Sequence, residues 1–189
     1  MMRNVIPFFM VLVLAGCTSE EKLKQSYLEQ LDAPAEEVVD FEYPLNGTVF
    51  PPEFPAPSVL WNDEAQQSQK WFLHVEVDHR GTLFSGILSQ QQWKPDESLW
   101  KTIRENSVEK PAVITVLGIN PDKRGEVFSK GQIKLITSRD SVGAPVFFRA
   151  VPLPFSYATS HLDSIKYMLG DVSSEGKALL CQILVPWLL

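Results

Sequence analysis

Hydrophobic and polar positions alternate most cleanly in KWFLHVEV (residues 70–77). Trp71, Leu73, Val75 and Val77 fall on one side of an extended chain, and Phe72, His74 and Glu76 fall on the other, continued by Asp78. A period of two predicts a strand with one buried face and one wet face. HRGT (79–82) then predicts a turn, and LFSGIL (83–88) a returning strand. AVITVLGI (112–119) and GQIKLITS (131–138) predict two more strands, with NPDKRGEVFSK (120–130) as the loop or hairpin connection between them. SVLW (58–61) is the first clean strand. The period changes once, in WKPDESLWKTIREN (93–106). There Leu99, Trp100 and Ile103 share one face of a predicted helix, and Asp96 stands where its carboxylate can cap the first turn.

Upstream, YPLNGTVFPPEFPAPSVLWND (43–63) has five prolines between Pro44 and Pro57, which forbid a central strand and favour extended edge segments and turns. Asn46-Gly47 is a turn signal, and behind a bacterial export signal that reading outweighs the glycosylation sequon Asn46-Gly47-Thr48. Many short strands with one short helix predict a mostly β fold, a β-sandwich of immunoglobulin or fibronectin type III kind. The immunoglobulin cysteine pair is missing, so the fibronectin-like version is preferred.

The 189 residues have room for one ordinary domain. The chain starts with Arg3 followed by an apolar run from Val5 to Leu14, then small residues before Cys17. Ten apolar residues are too few to span a hydrocarbon core of ~30 Å, so residues 1–16 read as a secretory signal rather than a transmembrane helix. LAGC (14–17) resembles the lipobox of bacterial lipoproteins, which makes Cys17 the acylated first residue of the mature chain and its lipid anchor. Several acyl chains, at ~0.8 kcal/mol per buried CH₂, would hold the protein on a membrane. Thr18 and Ser19 follow, with no aspartate next to the cysteine, and resemblance to enterobacterial sorting then favours the outer membrane. Residues 17–42 read as the acylated cysteine and an acidic tether with a short marginal helix. Residues 43–155 read as the sandwich, and 156–189 as a C-terminal extension.

Net charge moves from −6 to −7 on loss of Arg3. That acidity supports solubility, and with no basic stripe it does not suit nucleic acid. His74, Glu76, Asp78 and His79 could present imidazoles and carboxylates to a divalent metal, but a solvated strand face is the stronger reading, and no metal is expected. His161 stands alone. No GxSxG, phosphate loop, HExxH or CxxC occurs. Glu36-Glu37 and Asp96-Glu97 are explained by a tether and a helix start. No catalytic residue and no cofactor is expected. Trp61, Trp71, Trp93 and Trp100 invite a sugar-stacking reading, yet each sits in or beside an apolar pattern, so core packing is preferred. Cys181 has no partner once Cys17 is modified.

TSRDSVGAPVFFRAVPLPF (137–155), with residues 43–61 and KYMLGDVSS (166–174), resembles the N-terminal immunoglobulin-like region of large bacterial envelope lipoproteins. Those proteins continue into a c-type haem CxxCH segment and a TolB-like β-propeller. Here ALLCQILVPWLL (178–189) stands where the cysteine pair would come, so haem attachment is not carried over and the chain is expected to end by truncation. The resemblance implies a membrane-anchored, non-enzymatic module with a structural or interaction role, whose partner is an envelope protein or a polysaccharide. The alternatives are a carbohydrate-binding accessory lipoprotein and, more weakly, a secreted enzyme fragment.

Overall fold

The alternating stretch 70–77 is strand β4 (Lys70–Val77) in the structure, a computed structural model that describes residues 19–173 and 179–180. β4 pairs antiparallel with β5 (Gly81–Leu88) on one side and with β7 (Ala112–Ile119) on the other, and β7 pairs antiparallel with β8 (Val127–Thr137). On the inner face Trp71, Leu73, Val75 and Val77 join Ala112, Ile114, Val116, Ile133 and Leu135. Over that face lie Val39, Val59, Trp61 and Trp93, from β1 (Glu37–Tyr43), β3 (Val59–Asp63) and β6 (Gln92–Trp93). The fold is mostly β, with strand order β5-β4-β7-β8-β1-β3-β6; β2 (Thr48–Phe50) also pairs with β8.

Helix α2 (Glu97–Asn106) closes the same core with Trp100 and Ile103, and Asp96 caps it, Leu99 N donating to Asp96 Oδ1 at 2.8 Å. Full burial of side chains of this size contributes about 1.5–3 kcal/mol each and the cap about 1. Packing therefore holds the helix in place, and the cap sets where it starts. Trp100 Nε1 donates to the Phe54 carbonyl at 2.8 Å, which gives its one polar atom a partner.

Two differences from the sequence reading concern the supposed tether. Residues Glu37 onward are strand, not linker. The first two residues of β1 pair parallel with β8, Glu37 with Ser129 and Val38 with Lys130, and from Val39 the strand pairs antiparallel with β3. Val39 is buried and Phe41 packs beside it, while Val38, Asp40 and Glu42 face outward. β1 thus joins the two halves of the sheet. It passes directly over Gly131, where a Cβ would overlap the Val39 carbonyl oxygen and stand 2.9 Å from Val39 Cβ.

The helix expected to be marginal, α1 (Ser19–Leu28), is docked on the opposite face of the sheet. A ten-residue helix alone is unstable in water. Tyr27 is fully buried against Phe72, ring centroids 5.4 Å apart, and beside Leu117 and Ile119, with Leu23, Leu28 and Leu31 around them. Beyond the helix, Gln30 Nε2 donates to the Gly125 carbonyl at 2.8 Å, and Lys130 Nζ donates to the carbonyls of Leu31 and Ala33. With α2 and this tether helix, the described residues contain three α-helices, one more than the sequence pattern predicts.

The third helix, α3 (Phe155–Ser160), lies in a small separate unit. There β9 (Val146–Ala150) pairs antiparallel with β10 (Lys166–Gly170), and β10 pairs with β11 (Leu179–Leu180). Leu179 and Leu180, within the C-terminal extension 156–189, are thus a paired strand. Among residues 138–173 Ala158 alone is buried.

Candidate functional site

The polar positions picked out by the sequence do not converge. His74 is only 1% exposed, which corrects its placement on a wet face. It lies on central strand β4 between Ser85 of β5 and Thr115 of β7, and Gln132 Nε2 donates to Thr115 Oγ1 at 3.1 Å. His74 Nε2 stands 3.5 Å from Glu76 Oε2, and its buried Nδ1 has no hydrogen-bond partner. Asp78 and His79 are exposed in the turn after the strand. Among the described residues no three His, Cys, Asp or Glu side chains come together as a metal site. His161 ends α3, its ring stacked on Tyr157 at 4.3 Å.

Burial pushes the His74 pKa below its ordinary 6.5, and the hydrogen bond and charge of Glu76 only partly oppose this. The unfolded chain therefore takes up a proton on His74 more readily than the folded one. Stability from this group is full above about pH 6.5, falls as pH drops through that value, and levels off below the lowered native pKa. His74→Gln should flatten the urea midpoint against pH between about 6.5 and 5, by at most ~1.4 kcal/mol per pH unit for one proton. Parallel curves for parent and variant would contradict the assignment.

Trp61, Trp71, Trp93 and Trp100 are all buried, so none offers a face to a sugar. Trp71 serves a site that sequence reasoning missed. Its Nε1 donates to Asp63 Oδ2 at 2.8 Å, and Ser129 Oγ donates to the same oxygen at 2.7 Å. Ala65 N donates to Asp63 Oδ1 at 3.1 Å, and Ser68 Oγ lies 3.1 Å from Ser129 Oγ. Gly118 leaves the room for them, since a Cβ there would come within 2.6 Å of Asp63 Oδ2. This cluster fastens β3 to β4 and β8. Ser129 is fully buried with its hydroxyl donated to Asp63, so it acts as a tie within the fold.

Two clefts remain. One, of about 410 Å³, lies where the body meets the ribbon and includes Glu53, the loop 141–145 and Asp171. Val142 N donates to Glu53 Oε1 at 2.5 Å, which ties that loop to the body. The other, of about 420 Å³, is acidic, with Glu36, Glu37 and Glu64. Neither gathers a nucleophile, a base and an anion-stabilising donor.

The feature that stands out is the ribbon's surface. Among the described residues, Val142, Val146, Phe147, Phe148, Leu153, Phe155, Tyr157, Leu162, Tyr167 and Leu169 are ten of the fifteen large hydrophobic residues that are exposed. Phe147 and Tyr167 stack at 5.8 Å with planes 7° apart. The segment was singled out by sequence, but its exposure was not, because local pattern does not say which apolar faces are covered. Cys17 and Cys181 lie outside the described residues. No protein-family model matches the chain, and a search of curated proteins finds no match. Among the described residues no helix is long and apolar enough to cross a membrane.

Proposed function

We propose that the chain is a lipid-anchored, non-catalytic envelope module, held at the outer membrane through Cys17, whose C-terminal ribbon is its interaction surface. In this reading the body is an immunoglobulin-like sandwich, the two sheet halves facing each other across the core and β1 passing between them. The chain as a whole is a relative of the haem and propeller lipoproteins it resembles. The observation that supports the interaction role is the division of apolar surface. Among the described residues, the body buries its four tryptophans and leaves one aromatic, Tyr43, exposed, whereas the ribbon exposes Phe147, Phe148, Phe155, Tyr157 and Tyr167, a pattern that marks interaction sites.

The docking of α1 changes what the anchor does. The helix begins two residues after Cys17, so an acylated Cys17 holds the body against the bilayer rather than lifting it off on a flexible tether. Cys17→Ser should abolish palmitate labelling and move the protein out of the membrane fraction, or leave it there only as unprocessed precursor. A Cys17→Ser protein that still takes up label would overturn the anchor.

A further inference from the structure

We propose that the ribbon pairs with a second copy of this chain, edge to edge, through β9. The proposal rests on the reading of the ribbon as an interaction surface and names its occupant.

Sheet edges differ in how well they are blunted. Among the described residues, β6 and β11 are two residues long, and β5 meets β4 through a register irregularity at Val75/Glu76. β9 has none of these protections. All five of its residues, Val146-Phe147-Phe148-Arg149-Ala150, are exposed, no proline or bulge interrupts it, and one edge is taken by β10 while the other has no strand among the described residues.

The sequence of β9 is complementary to itself when two copies run antiparallel about a twofold axis at Phe148. Phe148 then faces Phe148 of the other copy, Val146 faces Ala150, and Phe147 faces Arg149. The one charge on the strand meets an aromatic ring rather than its own like, a contact worth about 0.5–1 kcal/mol when exposed. Within each copy Arg149 already stands opposite Tyr167, which stacks on Phe147. The symmetric pairing therefore continues one row of ring and guanidinium across both ribbons. It adds about four to six main-chain hydrogen bonds, joins two three-stranded sheets into one of six, and closes as a dimer rather than growing into a fibre. The acidic bodies stay at opposite ends.

The test uses the full chain in detergent and in membranes, with Cys181→Ser to leave the new thiol unrivalled. Phe148→Cys should give a disulfide-linked dimer on mild oxidation, because the twofold brings the two positions to ~4.5–5.5 Å between Cα atoms. Val146→Cys, which faces Ala150, and Thr82→Cys, on β5, should cross-link at least tenfold less. Phe148→Lys without cysteines should weaken dimerisation by tenfold or more in sedimentation, while the melting temperature of the body stays unchanged. Equal cross-linking at all three positions, or a monomer at every concentration, would overturn self-pairing. Amide exchange then separates the two readings. A monomer whose β9 amides are protected only in native membranes keeps the interaction surface and rejects the second copy. A monomer with β9 unprotected in both settings rejects both.

Discussion

Gly131→Ala is expected to cost the protein about 3 kcal/mol, the upper end of the usual range for overpacking. The added methyl would overlap the Val39 carbonyl oxygen, and it would also press on Val39 Cβ at 2.9 Å and Phe41 Cε2 at 3.1 Å. A flexible side chain could turn aside, but a backbone carbonyl in a paired strand cannot move without pulling β1 away from β3 or β8. For a body of this size the loss amounts to a fall in melting temperature of roughly 6–12 °C. Denaturation followed by tryptophan fluorescence would measure it. A change below ~0.5 kcal/mol would mean that β1 does not cross over Gly131 as described.

Asp63→Ala should be similarly severe, for a different reason. It leaves the Trp71 indole N–H and the Ser129 hydroxyl without the carboxylate oxygen both now use, at 2.8 and 2.7 Å. Each buried donor left unpaired costs about 1–3 kcal/mol, so a total near 3–4 kcal/mol is expected. Asp63→Asn, which keeps an acceptor oxygen, should recover part of it. Ser68→Ala, which removes only an outer hydroxyl, should cost less than ~1 kcal/mol. A double-mutant cycle between Asp63→Ala and Trp71→Phe should show coupling of about 1.5–3 kcal/mol. Additive effects would show that the cluster does not act as a unit.

What the sequence made legible follows from how far each signal reaches. β4 and β7 carry their period of two in consecutive residues, and α2 carries both its cap at Asp96 and its apolar stripe, so local pattern is enough for all three. β1 shows the same alternation at Val39 and Phe41, but Glu36, Glu37, Asp40 and Glu42 around it gave the stretch the composition of a linker. α1 has only Tyr27 and a few leucines to bury, and whether they are buried depends on Phe72, Leu117 and Ile119, about 45 to 90 residues away. No local pattern marks Asp63 or Gly118. Their meaning comes from a cluster assembled across four segments. His74 was placed on the correct face of β4, yet its burial depends on neighbours from β5 and β7. The ribbon shows the same limit in reverse, since its apolar pattern reads as core although among residues 138–173 Ala158 alone is buried.

The most direct measurement of the proposed anchored module is the mass of its mature amino terminus, isolated from membranes. The account predicts a chain that begins at Cys17 and carries several acyl chains on that residue. A chain that begins at Met1 or at any residue other than Cys17, or one whose Cys17 carries a free thiol, would contradict it.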